Sequence, residues 1–438
     1  MKVLIIDQDR CGLALAMRAQ DAGHDVQLWM PKDKGTARPC PIGQGLVPIA
    51  RNWEPAIHKA DLVILTENSK YVDDLEVYFR KGYPIFGCNR EAGLLELDRE
   101  VGQDAFKSVG MQVLPYETFA SYDKAIAYVE KENRPFVSKP WGGNPDKSLS
   151  YVPKRACDLV ARLENWKKMK LKGSFMLQEM VDGFEMAVGG WFGPGGWSGL
   201  INENWEEKRL MCGGLGPNTG EMGTVMRYVT ESKLFDDVCR PLEPLLRKLK
   251  YVGYVDVNCM VDTEGTPWPL EATMRFGWPH WNLCMHLHQG DPVSWMADLR
   301  EGRDSLKASK DICVGVVMSM GHFPWDDDPI EVEGWAIHGM TTKNSGAVYL
   351  SGAMMAEAPI EVGGKIKRAN AVCSVGNYVL IACGAGKTVT AAQKDCYRTV
   401  EDLSWAPHRI YRTDIGARLE EDLLCLQDFG YAKGMKFK

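Results

Sequence analysis

The side chains best suited to chemistry sit on runs that otherwise read as buried strands. Lys139 ends "PFVSK". A lysine there is either a snorkelling surface residue or a phosphate ligand. Asp256 lies in "YVDVN" and Glu271 in "PLEATMR", on two runs that read as adjacent strands of one hairpin turning at "TEGT". Two carboxylates side by side repel unless a cation sits between them. Oxygen ligands on stiff strands suit Mg²⁺, which keeps its other positions for water and phosphate. Arg275, four residues after Glu271, offers a planar fork to phosphate oxygens. Lys147 lies in "WGGNPDKS", whose glycines suit a flap closing over phosphates. Glu179 and Glu185 flank a turn at Asp182-Gly183, where a nucleotide would meet backbone and a carboxylate would hold ribose hydroxyls. Lysines, a strand-edge carboxylate pair and an arginine, in this order, point to a Mg-ATP site.

These groups need a scaffold. "KVLIID", "HDVQLWM", "ADLVILT" and "YPIFG" are apolar runs separated by the helical patterns "GLALAMRAQDAG" and "VDDLEVYFRKG". Strand and helix alternate, which predicts a doubly wound parallel sheet over the first hundred residues. A helix near Asp98–Gly110, the strand "MQVLPYETF" and the helix "YDKAIAYVEKE" follow. "PFVSKP", "SFMLQEMVDG", "FEMAVGGWFG" and "WSGLINENW" then alternate with period two between glycine turns, the pattern of an antiparallel α+β region. One helix is predicted over "SKLFDDVCRPLEPLLRKLK". From about residue 311 the chain reads as β-rich and ends in the helix "AAQKDCYRTVEDLSW".

Composition narrows the partners. The net charge of −6 argues against a general nucleic-acid or membrane-surface binder. No apolar run approaches the roughly 18 residues of a membrane span. The 13 cysteines form no CxxC pair, which fits reduced thiols in a cytoplasmic protein and not a disulfide frame. A strand-like run opens the chain directly, so no signal peptide is expected.

"GGLGPNTGEMG", Gly213–Gly223, packs five glycines, a proline and an asparagine into eleven residues. That much backbone freedom predicts neither a helix nor a central strand. "GPNTGEMG" resembles the "GPNTGGMG" stretch of the phosphoribosylamine–glycine ligase family, ATP-grasp enzymes of purine synthesis. The resemblance runs almost end to end. "PFVSK" resembles the family's "PVVVK", which implies that Lys139 binds ATP. Arg99 stands where ATP-grasp enzymes carry a basic residue on the nucleotide phosphates. "LQEMVDGFE" resembles "EEFLxGEE", which implies that Glu179 and the backbone at Met180 and Val181 hold adenine and that Glu185 holds ribose. "EEKR", Glu206–Arg209, stands where the family has "DHKR". "GNYVLIACGAGKTVTAAQ" and "YRTDIG" are similar to the family's C-terminal motifs. The resemblance also implies that the glycine loop, with Asn218, lines the substrate side of the site.

The departures fall on one half of the site. The family opens with a "GSGGREHA" loop whose glycines let backbone amides meet a substrate phosphate. Here the stretch is "DQDRCGLA", Asp7–Ala14, with another residue at each of those glycine positions. Asp7 and Asp9 add negative charge, and Arg10 offsets part of it. "DGDTGPNTGG" becomes "CGGLGPNTGE", replacing two aspartates by Cys212 and Gly214. "RFGDPE" becomes "RFGWPH", with Trp278 and His280. "EFNCRFG" becomes "EATMRFG", so a metal-binding asparagine becomes Thr273, which still offers one oxygen. Trp278 and Trp281 are either core or flat apolar surface for a ring or longer side chain.

The sequence thus predicts an α/β ATP-grasp fold: a Rossmann-like pre-ATP-grasp domain over 1–97, an ATP-grasp domain over 98–308 with a lid at about 118–182, and a β-rich domain over 309–438. The expected cofactors are ATP and Mg²⁺ (or Mn²⁺). Asp256, Glu271 and Thr273 are the expected metal ligands, and Arg275, Lys147 and Asn218 the catalytic groups. The expected partners are a small amino acid and an amine acceptor, in a monomer or small homo-oligomer. Three functions fit: phosphoribosylamine–glycine ligation, the same chemistry on another acceptor such as a nucleoside or nucleobase amine in viral DNA modification, or non-catalytic nucleotide binding.

Overall fold

The computed structural model describes residues 1–32, 38–141, 149–325 and 328–438. Strands β1 (Lys2–Ile6), β2 (Asp25–Trp29), β3 (Leu62–Leu65) and β4 (Ile85–Phe86) form a parallel sheet in the order β2-β1-β3-β4. β1 and β3 are buried on both faces, which is why they read as unbroken apolar runs. The intervening helices Leu13–Asp21 and Lys70–Arg80 fall where the pattern placed them.

A three-stranded antiparallel sheet follows, built from β5 (Tyr116–Phe119), β6 (Phe136–Pro140) and β7 (Phe175–Glu179), with β7 central. Helices Tyr122–Glu132 and Ala156–Lys168 cover it, and Phe136, Leu163, Trp166 and Phe175 fill its own small core.

The largest sheet holds eight strands. β8 (Gly183–Gly193), β9 (Gly196–Met211), β10 (Leu215–Val229), β11 (Gly253–Asp262) and β12 (Pro267–Thr273) join β13 (Ile312–Ser319), β14 (Val348–Leu350) and the late strand Tyr378–Gly386. A separate hairpin consists of β15 (Ala353–Val362) and β16 (Lys365–Ser374), which makes the late strand β17. The order is β12-β11-β8-β9-β10-β13-β17-β14. β13 pairs with β10, Gly223 opposite Val316, so one sheet runs across the division expected at 308.

Three expectations need correction. The glycine-rich stretch starts in a short turn at Gly213–Gly214 and continues as the irregular start of β10, which pairs with β9 alone until β13 joins at Gly223. Its pairing with β9 slips on both sides of Asn218, and only Gly213, Gly214 and Gly216 take positive φ. Gly223 is extended, and its lack of a side chain serves packing: a Cβ there would meet the Gly315 carbonyl oxygen at 2.6 Å and Ile415 at 2.7 Å. The helix predicted over 232–250 is broken into Lys233–Val238, a short turn Arg240–Leu242 and Glu243–Lys248. Pro241 and Pro244 each remove a backbone donor inside the run. A further helix, Leu419–Asp428, follows the one expected to be last, Val389–Asp402.

Candidate active site

β12 and the helix Arg99–Ser108 build one wall. The Asp98 carboxylate accepts from the amides of Glu100 and Val101 and so fixes the helix start. Arg99 is thereby aimed at β12, where it donates to the Leu270 carbonyl and to Glu271 Oε2, both at 3.2 Å. Lys208, on β9, reaches Glu206 at 3.0 Å, Glu185 at 3.1 Å and Glu271 at 3.8 Å. Burial would raise the Glu271 carboxyl, but the charges of Arg99, Lys208 and Lys139 outweigh it and hold Glu271 below the usual carboxylate range. The Lys139 amine faces this cluster from β6. Burial and the Arg99 charge push it down to about 7. The residue keeps some exposed surface, so water offsets part of that push.

The β11–β12 register sorts the expected metal ligands. Asn258 lies opposite Glu271, and Asp256 lies opposite Thr273. Asp256 and Glu271 are therefore diagonal neighbours, not a facing pair. Asp256 is buried and already partnered: its Oδ2 accepts from Asn204 at 2.8 Å and from the Tyr254 hydroxyl at 2.9 Å. Burial and the charge of Glu206 push Asp256 up to about 7. Asn258 was not singled out from the sequence. It donates to Glu185 at 3.1 Å and Glu206 at 3.2 Å, while its buried Oδ1 finds no partner among the described residues. An unpaired amide oxygen opposite a carboxylate on rigid strands fits a hard divalent cation. No group of three or more His, Cys, Asp or Glu is arranged for a metal among the described residues. A Mg²⁺ that takes one carboxylate plus substrate phosphates needs no such group.

The remaining expected site residues divide. Glu185 joins the cluster through Lys208 and Asn258. Glu179 ends β7 and takes a 2.6 Å hydrogen bond from Arg134, with Met180 exposed beside it and Val181 next in the chain. Asn218 is exposed on β10, opposite Arg209. Arg275 points the other way. It meets Glu96 at 3.1 Å and Glu67 at 3.4 Å, so its fork is engaged by carboxylates. Lys147 and its flap, 142–148, lie outside the described residues.

Glu67 stands at the second wall, the C-terminal end of the parallel sheet. Trp278 donates to it at 2.8 Å and is partly buried against the core, while Trp281 is fully core. Beside them is the altered N-terminal turn. The Asp7 carboxylate accepts from the Gly12 amide at 2.7 Å, the Thr66 hydroxyl at 2.9 Å and the Cys11 amide at 3.3 Å. Gly12 caps the helix Leu13–Asp21, and a Cβ on it would sit 3.0 Å from Asp7 Oδ2. Arg10 donates to the Pro31 and Lys32 carbonyls.

No family model matches the chain. Curated relatives match it over nearly its whole length. The phosphoribosylamine–glycine ligase of Vibrio cholerae is 28% identical over 442 residues, covering 95% of this chain and 98% of the relative. The chain resembles the phosphoribosylamine–glycine ligase family almost from end to end. The fold agrees. The crystal structure of that enzyme from Thermotoga maritima matches with a TM-score of 0.70 at 19% identity, covering 95% of this chain and 100% of that one. The L-amino acid ligase of Bacillus licheniformis matches with a TM-score of 0.56 at 12% identity, covering 93% and 98%. The shared architecture is ATP-grasp.

Proposed function

We propose that the chain is an ATP-dependent, ADP-forming ligase that activates the carboxylate of a small amino acid and joins it to an amine. One observation carries the reading: Lys139, Arg99 and Lys208 converge on Glu271 from three separate elements, with the unpaired Asn258 oxygen opposite. Three cations gathered on one carboxylate suit a triphosphate. Lys139 and Arg99 bind and orient the phosphates and neutralise charge as the γ-phosphoryl group moves to the substrate carboxylate. Glu271 and Asn258, with Thr273 near them, would hold Mg²⁺ or Mn²⁺, which supplies charge on the bridging phosphate oxygens when bound. Glu179 and the backbone at Met180 and Val181 hold adenine, and Glu185 holds ribose. Residues 1–97 and 98–308 flank the cleft. The three-stranded sheet acts as its lid, excluding the water that would hydrolyse an acyl phosphate.

ADP release in the presence of Mg-ATP should depend on an amino acid and rise with an amine, and product mass should identify the amide. Absence of nucleotide binding at millimolar Mg-ATP overturns the proposal.

Lys139 supplies a second expected result. Its amine titrates near 7 in the free protein, and a triphosphate beside it favours the charged form. At pH 8 the free lysine is mostly neutral, so binding takes up about one proton. At pH 6 it is already charged, and uptake falls towards zero. Calorimetry in buffers of different ionisation enthalpy reads this directly. Lys139→Met should abolish the uptake; a binding enthalpy independent of buffer at pH 8 contradicts the assignment.

A further inference from the structure

The glycine-rich hairpin loses two acids relative to its family, at Cys212 and Gly214, and gains one, at Glu221. That gain sits in the irregular piece of β10 between the pairs Asn218–Arg209 and Gly223–Glu207. A pleated strand would send Glu221 to one face in a fixed register; the slip between Asn218 and Gly223, which spans Glu221, frees it from that register. The side chain turns inward and is 6% exposed. Its Oε1 finds no hydrogen-bond partner among the described residues.

The surroundings say what is missing. Burial and the charges of Glu206, Asp256 and Glu185 all push the Glu221 carboxyl up, with Lys208 the opposing cation. Lys208 is itself shared among three glutamates. Near Glu221 is Tyr378, at the start of β17. Its buried hydroxyl is also unpartnered among the described residues, and it feels both Glu221 and Cys11 of the N-terminal turn. Two buried polar groups without partners among the described residues, one a carboxyl short of positive charge, thus lie within electrostatic reach of each other. A group rich in donors and positively charged satisfies both: it gives the carboxyl a countercharge and the hydroxyl a neighbour to bond.

We propose that Glu221, with Tyr378 beside it, receives the ammonium group of the amino acid whose carboxylate the enzyme activates, and so selects amino acids over simple carboxylic acids. This rests on the ligase reading. The orientation follows from the placement. The carboxylate of the amino acid must approach the phosphate-binding cations, and Lys208 links their cluster to Glu206, the first charged neighbour of Glu221. An amino acid bridges that span with its two charged ends. The two acids lost from the hairpin tip are replaced by one acid deeper in the same strand.

Hydroxylamine tests this without knowledge of the natural acceptor, because it traps an acyl phosphate as a hydroxamate. The wild type, Glu221→Gln, Glu221→Gly and Tyr378→Phe are assayed with Mg-ATP, hydroxylamine and each of the twenty amino acids, with acetate and propionate as des-amino controls. The wild type should form the hydroxamate of at least one small amino acid and reject acetate and propionate. Glu221→Gln and Glu221→Gly should raise the amino-acid KM about 10–100-fold, as loss of a charged hydrogen bond predicts. They should narrow the preference over the des-amino acids equally, with the KM for ATP unchanged. Tyr378→Phe should move the same two quantities less. A wild type that forms hydroxamate with unchanged amino-acid KM and selectivity in both Glu221 variants overturns the inference. A wild type that forms no hydroxamate from any acid overturns the ligase reading beneath it.

Discussion

Glu271→Gln should lower amino-acid-dependent ADP release more than about 10²-fold while leaving a folded protein. Glu271 differs from every other carboxylate in the cleft. Three cations hold it ionised, it is 43% exposed at its side chain, and it faces the unpaired Asn258 oxygen. A glutamine keeps the shape and removes the charge. Arg99 keeps its bond to the Leu270 carbonyl, and Lys208 keeps Glu185 and Glu206, so neither cation is stranded. The fold should therefore change little. Changes to partners one shell out from a metal typically cost 10–100-fold, and a direct ligand costs more. Asp256→Asn supplies the contrast. Asp256 is spoken for by Tyr254 and Asn204, and an asparagine oxygen accepts from both. Its effect on turnover should stay within about tenfold. Steady-state ADP release with thermal unfolding of both variants decides the matter. Equal losses in the two variants would show that Asp256, not Asn258, completes the metal site with Glu271.

That contrast marks where sequence reading stops. The hairpin carrying Asp256 and Glu271 was legible, because alternation and the "TEGT" turn are local signals. Which residues face each other was not, since register is set across the pair and a bulge follows Asn258. Lys208 was visible only as part of the run "EEKR", matched to the family's "DHKR" with no role for the lysine. Strand alternation was the signal available: Glu206 and Lys208 share a face of β9, and that face meets Glu185 on the adjacent β8 and Asn258 on β11 beyond it. The parallel sheet was readable because strands buried on both faces are continuous apolar runs. The motif Gly213–Gly223 misled for the opposite reason. Glycine breaks strands on average, but here Gly223 allows β13 and Ile415 to come close, a fact of tertiary contact absent from local propensity. The helix Leu419–Asp428 lacks a side-chain cap and was passed over.

Asp7 leads to the last expected result: phosphoribosylamine should be a poor acceptor, and the cause should be removable. A helix N-terminus with free amides is an anion site. In this chain a carboxylate lies just before the helix. Two amides and the Thr66 hydroxyl bind Asp7, which puts a negative charge at this turn. Even Gly12 is committed, since its missing Cβ is what admits Asp7. A dianionic phosphate arriving here meets the Asp7 and Glu67 carboxylates at short range, with the Arg275 fork already shared between Glu67 and Glu96. Trp278, bonded to Glu67, presents apolar surface to whatever takes that space. The acceptor favoured by this wall therefore lacks a phosphate. With its preferred amino acid, the wild type should use phosphoribosylamine with a specificity constant below roughly 10⁴ M⁻¹s⁻¹, an ordinary floor for a dedicated enzyme. Asp7→Gly should remove that charge and raise that constant several-fold, at a cost of about 1–3 kcal/mol in stability from the donors left unpaired. Thermal unfolding measures the cost, and ADP formation with freshly generated phosphoribosylamine measures the gain. A wild-type constant above 10⁴ M⁻¹s⁻¹ would mean that the phosphate binds elsewhere in the cleft and that Asp7 only fastens the turn.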